Sequence, residues 1–325
     1  MEIIPPKIEL YKTRSFSDKL SDTFAFLREN WRPLLKYFFY LMLPASIVLA
    51  FFMNHFMEVY MQFSMAAQKA DIGIFESPDT VSLILYMLGL VIVAGLSYIL
   101  LGALVFSMVR LYRKREQRLR DLTADEVKPE LLYCLRRAAV LTLVFFGLLL
   151  VYGMLAVGIV SLGMLVNIGV GLMFLVLIYI FTLVMVVLLS LVEPVYLLED
   201  DINVWGALGK GLRLGFNTFG GIIAVTFVIG LLASVIQTFT SAPWYILFIV
   251  KTVFVTAFEE NSAFVNSFLF TVLQYLSCVL ECVGMLLSSV ITYVGLIIQY
   301  GHAADKIYGV GVEQTIAHFD ELDKF

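Results

Sequence analysis

Six apolar runs set the fold class of this chain. Each is near or above the ~20 residues with which a helix crosses a ~30 Å hydrocarbon layer. They lie at about 34–53, 81–109, 138–160, 170–192, 220–240 and 267–300. A helix pairs its own backbone groups, which hydrocarbon requires of any spanning segment. Composition agrees: 61% of residues are hydrophobic and only 15% charged, against about 25% charged in an ordinary soluble domain. The expected fold is therefore an all-α, polytopic membrane bundle of six transmembrane helices, with amphipathic helices on the cytoplasmic side and a small outer cap.

The basic residues orient it. Seven of the 22 Lys and Arg precede or include Lys36, nine fall in 110–137, two in 193–219 and two in the tail. The alternate segments hold only Lys69 and Lys251. The positive-inside rule then places both termini in the cytoplasm. The organisation expected is a cytoplasmic segment over 1–36, a membrane domain over 37–300 and a cytoplasmic tail over 301–325. The opening MEIIPPKIELYKTRSFSDKLSD is polar and has no apolar signal region, so the first span is expected to act as its own insertion signal.

Two runs exceed the bilayer. If wholly helical, 267–300 would be about 51 Å long and 81–109 about 43 Å. The excess is absorbed by tilt or projects from the membrane. The stretch 244–258 has 15 residues and carries Lys251, which suits an interfacial or capping helix better than a seventh span.

Ahead of the first span, Phe16, Leu20, Phe24, Leu27 and Trp31 fall on one helical stripe. Ser15 and Asp18 have the spacing of a capping box. Such a helix lies along the headgroups or packs on the bundle. A second, INVWGALGKGLRLGFNTFGG, carries Gly206, Gly209, Gly211 and Gly215. Interior glycines cost about 1 kcal/mol each relative to alanine, and close approach of another backbone would account for them. EVKPELLYCLRRA leads into the third span in the same way.

Three segments carry a family resemblance: DKLSDTFAFLRENWRPLLK at the entry, VEPVYLLEDDINVWGALGKGLRLGFNTFGG at the centre and VITYVGLIIQYGHAADKIYG at the exit. Together they resemble the bacterial six-span proteins related to the membrane domain of glycerophosphoryl diester phosphodiesterases. The resemblance implies a multi-pass protein of the bacterial cytoplasmic (inner) membrane. It implies no hydrolysis, because in those phosphodiesterases the catalysis belongs to a separate soluble barrel.

The residues themselves show no catalytic constellation. His55, His302 and His318 are scattered, and no nucleophile elbow, zinc-protease helix or phosphate-cradling P-loop is present. Cys278 and Cys282, one helical turn apart without a third ligand, fit packing better than metal. No enzyme activity, cofactor, metal or nucleic-acid partner is expected.

Three sets of residues stand out. Arg110, Arg113, Lys114, Arg115, Arg118 and Arg120 sit at the cytoplasmic end of a span, where each is worth about 1 kcal/mol against anionic lipid headgroups. They are either headgroup contacts or an orientation anchor. The acids Glu193, Glu199, Asp200 and Asp201 either reach this cluster or sit in headgroup water. On the last span Gln274, Ser277, Cys278, Glu281, Ser288, Thr292 and Gln299 form a polar stripe that should face the bundle. It is a polar pathway or an interhelical packing seam, with Glu281 as its ionisable member. Membrane lipids are the expected partners. Function narrows to a non-enzymatic, lipid-associated or scaffolding membrane protein, with a transporter or channel-like role as the alternative.

Overall fold

A computed structural model describes residues 7–68, 78–258 and 263–311. In chain order its helices are α1 (Phe16–Gln68), α2 (Pro78–Lys114), α3 (Ala124–Val166) and α4 (Ile168–Leu189). They continue with α5 (Val192–Leu198), α6 (Val204–Asn217), α7 (Phe219–Phe258) and α8 (Phe268–Tyr308). Among the described residues there is no strand. Among these residues six helical segments are long and apolar enough to cross a bilayer, and they coincide with the six apolar runs of the sequence.

Local chemistry sets the ends. The Asp18 N–H donates to the Ser15 hydroxyl at 3.2 Å, and the Ser15 N–H donates to the Asp18 carboxylate at 3.1 Å. This is the reciprocal capping box expected at the start of α1. Thr123 and Glu126 start α3 in the same manner, with a 3.0 Å bond from the Thr123 N–H. Pro194 falls in the first turn of α5, where its missing N–H would have had no helical acceptor.

The helices run further than the apolar runs. Residues 244–258 form no separate capping helix. They continue α7 through Pro243, which removes one backbone bond but brings no glycine or cap to end the helix. Likewise EVKPELLYCLRRA is the beginning of α3, through Pro129, rather than a helix of its own. The entry segment, expected as an amphipathic helix, is the first part of α1.

By internal contacts the chain forms two compact units, each assembled from separate stretches. The first comprises Met1–Pro33, Gly102–Ile229 and Thr292–Phe325. Within it, α6 packs on α4 and α5 through two of its glycines. A Cβ on Gly211 would stand 2.8 Å from the Val192 Cα, and one on Gly215 would stand 2.5 Å from the Leu188 carbonyl oxygen. Gly209, by contrast, faces open space. The α3–α4 pair turns tightly at Asn167, whose side chain accepts the Gly169 N–H at 2.7 Å. In the most apolar stretch of α3 no residue is buried, against 61% for α8.

The second unit comprises Leu34–Leu101 and Gly230–Ile291. Leu49, Ala50, Trp244, Cys278 and Cys282 form its core. The Trp244 indole N–H, fully enclosed, donates to Asn54 Oδ1 at 3.0 Å. The Tyr275 hydroxyl donates to the Ile47 carbonyl at 2.8 Å. Lys251 has its carboxylate partner here, Glu58.

Candidate functional site

The basic run at the end of α2 meets acids of its own chain. Arg110, only 6% exposed, donates through Nε to Glu130 at 2.8 Å and through Nη2 to Asp200 at 2.8 Å. Its Nη1 reaches the Leu197 carbonyl at 3.2 Å, and its guanidinium lies over the Tyr133 ring. Lys114 shares Glu130, and Arg115 lies 3.6 Å from Glu126. Arg118 is buried and donates to Glu29 at 2.7 Å. Arg113 covers the Tyr11 ring, and Arg120 is exposed. Of six expected headgroup contacts, four are therefore ion-paired to acids of the protein itself.

This network also contains residues that sequence reasoning did not single out. Tyr133 donates to Asp200 at 2.8 Å, and Arg137 donates to the Tyr133 hydroxyl and to the carbonyls of Asp200 and Ile202. Glu199 takes Lys210 at 2.8 Å and the Tyr300 hydroxyl at 2.5 Å. Of the two readings of the acidic turn, contact with the basic helix is the one Asp200 realises. Partial burial raises the Asp200 pKa, but bonds from Tyr133 and Arg110 outweigh it and hold the carboxyl below its ordinary value. Tied together by these internal bonds, the network acts as a clamp joining α2, α3 and the 199–203 turn.

The polar stripe of α8 faces inward. Gln274, Cys278, Glu281, Ser288 and Gln299 are buried, while Ser277 and Thr292 are half-buried. Several bonds are local: Ser288 donates to the Met285 carbonyl of its own helix at 2.8 Å, and the Cys278 thiol points to the Ala50 carbonyl at 3.8 Å. Two members have unmatched polar atoms. Glu281 Oε2 in the second unit is enclosed without a hydrogen-bond partner, as are both amide atoms of Gln299 in the first. The two side chains considered as partners lie elsewhere: Asn167 caps α4 and Gln237 is exposed.

A third feature has no polar signature. Within the first unit, α3, α4 and α6 bound a groove of about 440 Å³. Leu148, Tyr152, Phe181, Met185, Leu189 and Leu212 are among its walls. Its polar groups are the Tyr152 and Thr182 hydroxyls, which bond each other. The entry segment of α1 is also arranged against ordinary expectation. Lys19, Thr23, Phe26 and Asn30 are buried, while Phe16, Phe24 and Trp31 are 39–53% exposed.

Six long apolar helices, buried polar clamps and outward-facing apolar walls define a multi-pass helical membrane protein. No family model, curated protein or solved structure matches the chain. Among the described residues no group of three His, Cys, Asp or Glu side chains is placed to hold a metal ion.

Proposed function

We propose that the chain is a non-enzymatic, multi-pass protein of a bacterial cytoplasmic membrane, with both termini cytoplasmic, that works by engaging membrane lipid. The groove between α3, α4 and α6 carries this reading. Its volume is in the range of small-molecule pockets, and its lining suits an acyl chain. The exposed Phe16, Phe24 and Trp31 of α1 support it, because an apolar stripe turned away from the protein interior fits the headgroup–acyl boundary. The related phosphodiesterase membrane domains remain the family suggested by the entry, centre and exit segments. The basic run serves chiefly as an orientation anchor, with Arg113 and Arg120 the members best placed to touch headgroups.

Native mass spectrometry of protein released from detergent tests the lipid reading. The unmodified chain should retain phospholipid, and Met185→Trp, which fills the groove, should lower the bound fraction about tenfold. Equal retention in both would remove the groove as the lipid site.

The enclosed, unpartnered Oε2 of Glu281 favours a second reading, transport along the α8 stripe. It requires substrate-dependent flux in proteoliposomes that drops at least tenfold in Glu281→Gln. Flux indifferent to that change would leave the stripe as packing.

A further inference from the structure

The first unit buries a cation that no acid neutralises. Lys19 is 5% exposed, and among the described residues no carboxylate lies within ion-pair distance of it. The nearby acids are engaged elsewhere. Asp22 takes the Arg14 guanidinium at 2.6 Å, and Asp305 takes the Thr13 hydroxyl and the Gly311 N–H. A buried ammonium ion without a counter-charge is expensive.

The same place holds a second unmatched group. Gln299 is fully buried, yet neither its Nε2 nor its Oε1 has a hydrogen-bond partner. Both side chains converge on Gly221. A Cβ built on that glycine would stand 3.3 Å from Gln299 Nε2, 3.7 Å from Gln299 Oε1 and 3.5 Å from Lys19 Nζ. Those are its three nearest neighbours, so the space a side chain would fill is bounded by polar atoms. Gly221 lies in the first turn of α7, where helical N–H groups have no acceptor within the helix and the macrodipole is positive. Gly220 beside it is exposed, with nothing within 4 Å of its own Cβ position, which leaves the turn open from outside.

We propose that Lys19, Gln299 and the glycine-opened first turn of α7 form a binding site for a phosphoryl oxyanion. Lys19 supplies the counter-charge and a donor. Gln299 donates through Nε2 and accepts through Oε1 from a hydroxyl on the same ligand, so a phosphoryl group bearing a hydroxyl satisfies both amide atoms together. The first-turn N–H groups complete the donors in the way helix starts hold phosphate. A free phosphate and a phospholipid headgroup carry this same chemistry.

The test uses the full chain in detergent, with inorganic phosphate as probe and chloride at equal ionic strength as control. Bound phosphate should raise the unfolding temperature saturably, by on the order of 3 °C or more. Lys19→Met, which removes the charge, and Gly221→Ala, which fills the cradle and leaves the charge, should each abolish that rise. If phosphate gives no rise, the same three proteins and Met185→Trp, taken from phosphatidylglycerol nanodiscs, are weighed by native mass spectrometry. An adduct present in the unmodified chain and in Met185→Trp, but lost from Lys19→Met and Gly221→Ala, assigns the site to a lipid headgroup. A phosphate response equal in all three, or neither response nor a site-dependent adduct, overturns the proposal.

Discussion

Replacing Arg110 with methionine should lower the unfolding free energy by about 3–5 kcal/mol, the usual loss when one member of a buried ion pair is removed. Arg110 is 6% exposed and holds Glu130, Asp200 and the Leu197 carbonyl together. Its loss leaves a partly buried Glu130 with Lys114 alone. Thermal or denaturant unfolding in detergent measures the change. Adding Glu130→Gln to Arg110→Met should recover much of it, since the second change removes the stranded charge. Acid should loosen the same clamp. The folded-state pKa of Asp200 lies below its ordinary value, so its contribution is complete above about pH 4 and is lost as pH falls through the lowered value. Asp200→Asn should flatten that part of the profile. An Arg110→Met protein as stable as the original would show that the clamp contributes nothing.

The second large effect concerns α6. Gly211→Val and Gly215→Val should each cost about 1–3 kcal/mol, the range for overpacking a fitted contact. The double variant should detach the helix. Both clashes involve backbone, the Val192 Cα beside its Cγ2 and the Leu188 carbonyl, which cannot rotate away as a side chain can. Gly209→Val, facing open space on the same helix, is the control and should change stability little. Protease sensitivity of the 199–218 region, read alongside the melting temperature, distinguishes local detachment from global unfolding. Comparable losses at all three positions would contradict this packing account.

The apolar runs made the spanning helices legible because a long stretch that hydrocarbon tolerates has few other conformations. Helix ends were harder. Pro129 and Pro243 look like boundaries, yet each removes only one backbone bond, and the helices pass through them. The separate helix expected over 244–258 is instead the end of α7 for this reason. Gly211 and Gly215 were readable as close-contact glycines; Gly209, alike in sequence, was not distinguishable from them.

Charge pairing was hidden by distance along the chain. Asp200 lies 90 residues from Arg110, and no local spacing announces that the two meet. Lys19 was obscured differently. It occupies the polar side of an amphipathic helix, which ordinarily faces water. Here the face holding Lys19, Thr23 and Asn30 is buried together with Phe26, while Asp18 and Arg28 stay exposed. Gln299 was visible on the α8 stripe, but only folding reveals that both its amide atoms lack partners.

That the first unit is built from three separated stretches has a consequence in time. Lys19 emerges from the ribosome 280 residues before Gln299, which at roughly 5–20 residues per second is a delay of about 15–60 s. The charged side of α1 therefore has no finished interior to enter while most of the chain is being made. Insertion can proceed span by span, but closure of this unit waits for α8, and a chain stalled before Thr292 presents α1 without the last stretch of its own unit.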